Sequence, residues 1–310
     1  MTWRRWREDT HGGGPMRPAA VVPMTLVAVS ILGAALFIWP FAVSSAPAPV
    51  VALSLALGTL AVLAAVETAM RRLDARRFAL LAAIAGIDAA LRLVLVTGAG
   101  GFSPIFFLIL ATGYVYGPSF GFLCGATSLL ASAVATGGIG PWLPYEMFGC
   151  GWTGAAAGLA GLRRSRTPGM RDIAVLAIVS VVAGYAYGAL LDVWDWTTFY
   201  RGSPSFGFLP GAGTGVLLQR FGRFYLATSV VWDSFRAAGD ALAVIVLGLP
   251  VLAALARVKS RLTFTVSGPG GGDGARSSSD GAVPSASGAG LAAQPPTPTR
   301  SGLLPGSGAQ

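Results

Sequence analysis

The sequence predicts an all-α, polytopic membrane bundle of about eight transmembrane helices. Of its 310 residues, 54% are hydrophobic and only 11% are charged, whereas soluble domains carry about 25% charged residues. Several windows of about 20 apolar residues are each long enough to cross the hydrocarbon core of a bilayer. The arginines lie in short clusters between these windows, and this distribution is typical of membrane topology signals rather than of a nucleic-acid-binding surface.

Eight apolar segments follow one another along the chain. The first comes after a basic tail, 1–18, and is long for the apolar part of a signal peptide, so we expect a retained helix. The fourth, 102–116, is short and is flanked by glycines, which favours an irregular helix packed inside protein. The predicted spans are 19–41, 49–70, 78–96, 102–116, 120–135, 142–162, 173–191 and 224–256.

The basic residues predict the orientation. Arginine and lysine are concentrated at the N-terminus and at 71–77, 163–171 and 257–261. Neither residue occurs in the connections 42–48, 97–101 and 136–141. Because positive charge is retained on the cytoplasmic side, we expect a multi-pass plasma-membrane protein with both termini in the cytoplasm. This parity requires that 102–116 crosses the membrane; if it is re-entrant, the count falls.

The C-terminal residues, 263–310, consist mainly of Gly, Ser, Pro, Ala and Thr. Such a segment cannot bury enough apolar surface to fold, so we expect a disordered tail.

Residues that common catalytic motifs need are missing from the sequence. His11 is the only histidine, which excludes the H-E-x-x-H zinc motif. The only lysine, Lys259, is preceded at 253–258 by no glycine, so the chain has no P-loop. Cys124 and Cys150 are interpreted as buried apolar residues. We therefore expect no enzyme activity, metal or cofactor, although spacing alone leaves a pair of intramembrane catalytic aspartates open.

Small residues repeat every four positions on the third span. Ala79 precedes Ala83, and Ala82 precedes Gly86, at the spacing that aligns side chains on one helix face. Such a stripe lets another backbone approach closely. It serves either packing within the same bundle or contact with a partner.

A second group lies where the sixth span begins. Trp142 and Tyr145 belong either to an interfacial aromatic belt or to a ligand site. Glu146 is costly at the start of an apolar span unless it is solvated or paired, and it could also stabilise a helix N-terminus.

Charged residues also occur inside the spans. Asp233, Arg236 and Asp240 have spacings of three and four, so both carboxylates can reach the arginine between them. Such a set forms either a structural ion-pair network or part of a functional site. Asp88 and Arg92 form a similar pair on the third span. The connection that begins at 192–200 alternates aromatic rings with carboxylates, which fits an interfacial belt or a ligand clamp.

Two separated motifs carry a family resemblance. The first reads GYVYGPSFGFLCGA at 113–126, followed by GGIGPWLPYEM at 137–147. The second is the Trp-Asp-x-x-Arg element that starts at Trp232, preceded far upstream by the arginine-rich loop at 71–77. Across about residues 71–258 the chain resembles the substrate-specific (S) components of energy-coupling factor (ECF) transporters of the actinobacterial type. The family usually has glutamine where Glu146 stands.

The resemblance implies a six-helix core, 71–262, after two additional N-terminal transmembrane helices, 19–70. It implies capture of a vitamin or related micronutrient on the extracellular side, for ATP-driven uptake by a coupling transmembrane subunit and two ABC ATPase subunits. The ligand would lie under the loops 97–103, 136–146 and 192–222. The candidate ligand contacts are Trp142, Tyr145, Glu146, Trp152, Asp233 and Arg236. The candidate contacts with the coupling subunit are Ala79, Ala82, Ala83 and Gly86.

Two other functions stay open on the sequence. One is an autonomous proton-coupled secondary transporter, in which Asp233, Arg236 and Asp240 form a proton relay. The other is a membrane enzyme that acts on lipid. No motif identifies the transported molecule.

Overall fold

The computed structural model of the chain describes residues 23–43, 45, 47–69, 72–94, 105–165 and 167–262. The predicted tails at 1–18 and 263–310 and the predicted turn at 97–101 lie outside these residues. The described residues form α-helices and one short 3-10 turn, and no β-strand occurs among them. The predicted all-α class is therefore confirmed for this part of the chain. The helices are α1 (Met24–Val43), α2 (Pro49–Ala69), α3 (Ala75–Val94), α4 (Ile105–Tyr116), α5 (Pro118–Thr136), α6 (Leu143–Ala160), α7 (Met170–Thr198), α8 (Thr214–Thr228) and α9 (Val230–Leu262).

Four of the described helices, α1, α5, α7 and α9, are long and apolar enough to cross a membrane. Helices α2 and α4 add shorter apolar stretches, Pro49–Ala65 and Phe106–Tyr116. Helix α4 has 12 residues. A helix of that length spans about 18 Å, against roughly 30 Å for a hydrocarbon core. These helices support a membrane protein, while a crossing at 102–116 and the full count of eight stay predictions.

Successive apolar helices alternate in direction. This is seen at one cavity, which is lined by the ends of some helices and by the starts of others. Arg77 at the start of α3, Tyr116 at the end of α4 and Pro118 at the start of α5 all line it. Glu67 near the end of α2 and Lys259 in the last turn of α9 line it as well. We call this the basic end of the bundle and the other the opposite end. Consecutive membrane crossings require this alternation.

Glycines allow the backbones of α4, α5 and α6 to pack in close contact. A Cβ atom at Gly113 or Gly121 would overlap the carbonyl oxygen of Gly154. A Cβ atom at Gly125 would overlap the carbonyl oxygen of Cys150. Small residues permit such close approach between helices in membrane bundles. The glycines of the first sequence motif therefore have a packing role in the centre of the bundle.

Helices α1 and α2 belong to the same packed bundle. Trp152 of α6 donates its indole N–H to Ser30 Oγ of α1 at 3.1 Å. Gly33 of α1 faces the ring of Phe148, where a Cβ atom would overlap it. Ala56 of α2 is buried and lines the same small void as Phe148. The first two helices are thus packed against α6 rather than separate from the rest of the bundle.

The predicted start of the last span, 224–256, is wrong. The structure ends α8 at Thr228 and begins α9 at Val230. Ser229 is not helical, with φ −122° and ψ −30°, and its backbone carbonyl accepts the backbone N–H of Asp233 at 2.9 Å. Serine and threonine are favoured at helix caps, but apolar residues continue on both sides of Ser229, so one continuous apolar window conceals two helices.

The predicted end of the seventh span at 191 also differs from the structure. Helix α7 continues to Thr198, and its last turns enter an aromatic cluster. Trp196 donates its indole N–H to the Phe206 carbonyl at 2.6 Å, and its ring packs on Phe208 and Phe221. This cluster attaches the connection between α7 and α8 to the opposite end of the bundle.

Candidate functional site

Asp233 is the centre of a polar cluster at the opposite end, in the first turn of α9. Its residue is 2% exposed. One carboxylate oxygen forms an ion pair with Arg236, and the other accepts the Tyr225 hydroxyl at 2.8 Å. Gly188 of α7 provides the space, since a Cβ atom there would overlap the carboxylate. The position of Asp233 therefore depends on α7 and α8 as well as on its own helix.

The guanidinium of Arg236 is held between aromatic rings. It lies 5.4 Å from the ring centroid of Tyr187 and 6.0 Å from that of Phe106. These two rings pack edge to face with centroids 4.8 Å apart. Cation–π contacts of this kind orient a guanidinium without using its hydrogen-bond donors. Arg236 thus keeps donors beyond the one that Asp233 uses.

Glu146 brings α6 into the same cluster. It lies in the first turn of α6 and within electrostatic range of Arg92 and Arg236. Among the described residues, the ion pair that forms is the one between Asp233 and Arg236. Glu146 therefore lies near Arg92 and Arg236 without forming an ion pair with either.

Helix α7 adds two more carboxylates. Asp192 is buried, and one of its oxygens has no hydrogen-bond partner among the described residues. It lies near Asp233 and Arg236, while Asp195 lies near Glu146. Residues from α3, α6, α7, α8 and α9 thus converge on one charged region.

The structure brings together three of the six predicted ligand contacts, namely Glu146, Asp233 and Arg236. Trp152 is instead used by the packing of α1, because its indole N–H bonds Ser30. Trp142 is 40% exposed at the start of α6. The structure thus separates a charged group from the two tryptophans.

Tyr145 lies in an aromatic layer beside the charged group. Its ring packs at 5.1 Å on Phe37 of α1 and at 5.4 Å on Trp194 of α7. Its hydroxyl is buried and has no hydrogen-bond partner among the described residues. Buried hydroxyls are usually satisfied, so this group is available to a bound molecule.

Three further cluster members were not identified from the sequence as site residues: Tyr187, Gly188 and Tyr225. Tyr225 precedes Asp233 by eight residues and is separated from it by a helix break, so helical spacing could not link them. Gly188 lies far from Asp233 in sequence, and nothing in its local pattern indicates a partner. Tyr187 lies five residues before Asp192, a spacing that does not align two side chains on one helix face, so the local sequence gives no signal for it.

Two expected ion pairs do not form. Asp88 is fully buried and faces Ser128 and Cys124, whereas Arg92 faces Glu146. Asp240 is also fully buried, and neither of its oxygens has a hydrogen-bond partner among the described residues. Spacing on one helix permitted these pairs, but Asp88 is turned towards Ser128 and Cys124 of α5 instead of Arg92.

The small-residue stripe on α3 is exposed. Ala79, Ala82, Ala83 and Gly86 all lie on the accessible face, and a Cβ atom at Gly86 would meet nothing within 4 Å. Leu81, on the other face, is buried. Of the two sequence interpretations, packing within the bundle is not seen in the described part of the chain.

Comparison with protein-family models, with curated protein sequences and with solved structures finds no match to this chain. Among the described residues, no group of three or more His, Cys, Asp or Glu side chains is placed to hold a metal ion.

Proposed function

We propose that this chain is the substrate-binding membrane subunit of an ECF-type ABC importer. It captures a vitamin or related micronutrient at the opposite end of the bundle, which faces the cell exterior. A coupling transmembrane subunit and two ABC ATPases then drive uptake. The observation that carries this function is the convergence of Glu146, Asp233 and Arg236, from distant parts of the sequence, in one charged region.

The chemistry of this region suits a small polar ligand. Arg92 and Arg236 can donate to an anionic group, and charge-assisted bonds of this kind are among the strongest available. Glu146 and the Tyr145 hydroxyl can bond polar groups of the ligand, and the Tyr187 ring offers an aromatic face. A few convergent polar groups among aromatic rings are typical of small-molecule sites.

The exposed stripe on α3 supports a partner subunit. Four small residues on an accessible face, with Ala83 and Gly86 among them, allow another membrane helix to approach closely. In the proposed arrangement α3 to α7 and α9 form the six-helix core, α1 and α2 form the addition, and α8 lies at the outer surface. Energy comes from the partners, because the sequence contains no P-loop of its own.

One observation favours a second candidate, a proton-coupled secondary transporter. Asp88 and Asp240 are fully buried carboxylates, and Asp240 lies one turn from Arg236 on α9. Carboxylates buried within membrane spans are found in the proton relays of pumps and transporters.

The experiment is mass spectrometry of small molecules that co-purify with the chain. We expect one molecule to be enriched with the wild type and lost from Arg236→Gln. The control is Arg223→Gln, which removes an exposed arginine at the same end. Melting temperatures of the three proteins check folding. Equal enrichment on the wild type and Arg236→Gln would rule out this site.

A further inference from the structure

A separate polar cavity of about 150 Å³ lies at the basic end of the bundle. Its polar wall consists of Glu67, Arg72, Arg77, Tyr116, Ser119 and Lys259. None of these residues belongs to the charged region around Asp233. The volume equals roughly that of five water molecules in the liquid, which is enough for a phosphate group with its immediate substituents.

Positive charge exceeds negative charge around this cavity. Arg72, Arg77 and Lys259 carry three positive charges against the single carboxylate of Glu67. Lys259 donates to the Val115 carbonyl at 2.5 Å and lies 5.7 Å from the Tyr116 ring centroid, so its ammonium is held at the cavity wall. The balance favours an anion.

Three residues that line this cavity carry buried polar atoms without hydrogen-bond partners among the described residues. Glu67 and Ser119 are 6% and 7% exposed. In the described part of the chain, Glu67 Oε1, Ser119 Oγ and Arg77 Nε are buried without a hydrogen-bond partner. Since buried polar atoms are normally satisfied, the occupant must supply acceptors for the arginine and donors for the carboxylate. A phosphate oxygen meets the first need, and a hydroxyl group meets the second.

The rest of the cavity wall is apolar and lies where the helices end. Leu73, Phe120 and Leu162 line it, and Leu162 is 40% exposed. In a bilayer, helix termini with arginine and lysine lie at the level of the lipid headgroups. A phospholipid combines a phosphate with apolar chains, so its phosphate suits the polar wall of the cavity and its chains suit the apolar wall.

We propose that this cavity binds the phosphate of an anionic phospholipid whose headgroup carries hydroxyls, of the phosphatidylglycerol type. Arg72 and Arg77 bind the phosphate, Glu67 accepts from a headgroup hydroxyl, and Leu162 contacts the start of an acyl chain. The site does not depend on the proposed transport function. A free phosphate would satisfy the same cations, so the experiment separates the two sources.

The test is native mass spectrometry of the full chain, purified with a mixture of phosphatidylglycerol and phosphatidylcholine. We expect the wild type to retain phosphatidylglycerol, and the double variant Arg72→Gln, Arg77→Gln to lose it by about tenfold, since charge-assisted bonds are removed. The matched control is Arg163→Gln, Arg257→Gln, because both arginines are exposed and lie at the same end. The single variant Arg72→Gln changes an exposed side chain, so it should fold normally. We expect it to lose less phosphatidylglycerol than the double variant, which gives a result even if the double variant misfolds.

A second arm measures the melting temperature of delipidated protein in inorganic phosphate and in chloride at equal ionic strength. Phosphate stabilisation that needs Arg72 and Arg77, with phosphatidylglycerol retention equal in all proteins, would overturn the phospholipid assignment and identify a site for phosphate from solution. Equal behaviour of the double variant and its control in both arms would overturn the proposal.

Discussion

Tyr225 of α8 donates its hydroxyl hydrogen to Asp233 of α9 across the break between the two helices, at 2.8 Å. This bond connects an amphipathic helix, which is not among the helices able to span a membrane, to the carboxylate that pairs with Arg236. Burial, together with the adjacent carboxylate, raises the pKa of Tyr225 well above its ordinary value. The hydroxyl therefore remains a donor throughout the physiological pH range.

Replacing Tyr225 with phenylalanine should loosen α8. A hydrogen bond to a charged group contributes about 1.5–3 kcal/mol, and because Tyr225 is half-buried we expect a loss near the lower value. Thermal unfolding and hydrogen exchange in α8 measure this. The control is Tyr185→Phe, which removes an exposed bond to Ser234 and should change both readouts less. Equal effects of the two variants would mean that the bond to Asp233 stabilises α8 no more than the exposed bond to Ser234 does.

The same tyrosine should contribute to alkaline unfolding. A raised pKa in the folded state means that the folded protein holds its proton more tightly than the unfolded chain. This stabilisation is fully present below the unfolded value of about 10 and is lost as the pH rises through the folded value. Above pH 10 the stability difference between the wild type and Tyr225→Phe should therefore shrink. A difference that stays constant up to pH 12 would contradict this linkage.

Adding one methyl group at Gly188 should displace the Asp233 carboxylate, because the new Cβ atom would overlap it. We expect Gly188→Ala to destabilise the protein by about 1–3 kcal/mol and to lose the co-purifying molecule. Gly222→Ala on α8 is the control, since its Cβ atom meets nothing within 4 Å. If both variants retain wild-type stability and ligand, Gly188 is not what positions Asp233.

Variants of Trp152 and of its partner Ser30 distinguish a packing role of Trp152 from a ligand-binding role. Trp152→Phe and Ser30→Ala each remove one partner of the bond, and we expect each to lower stability by about 1 kcal/mol with little further loss in the double variant. Both single variants should keep the co-purifying molecule. Loss of that molecule from Trp152→Phe alone would restore Trp152 as a ligand contact.

Large side chains on the α3 stripe should block partner binding without unfolding the chain. Ala79 and Ala83 are exposed, so Ala79→Leu, Ala83→Leu should melt like the wild type and recover at least tenfold less coupling subunit on affinity purification. Ala61→Leu, Ala65→Leu is the control, since those alanines have the same spacing and exposure on α2. Equal recovery from both double variants would remove the stripe from the interface.

Helix positions were largely predictable because apolar windows have sharp edges. The predicted span 120–135 corresponds to Pro118–Thr136, and 78–96 to Ala75–Val94. The break at Ser229 was not predictable from hydropathy, since apolar residues continue on both sides. The local signal for it is the pair Thr228 and Ser229, because serine and threonine are favoured at helix caps.

The charged site was predictable only where its members share a helix. Asp233 and Arg236 are three residues apart, and their pair forms as expected. The same logic failed for Asp88 and Arg92, because helix packing turns Asp88 towards Ser128. The roles of Gly188 and Tyr225 arise from contacts between helices, which no spacing rule along one helix can reveal.

Uptake into proteoliposomes tests the capture-and-delivery function most directly. The purified chain is reconstituted alone, or with the membrane subunit and ATPases that co-purify with it, and is supplied with the labelled small molecule from the wild-type preparation. We expect accumulation only when the partners and ATP are both present. Accumulation by the chain alone, driven by a proton gradient, would contradict an ECF-type role and establish the secondary transporter instead.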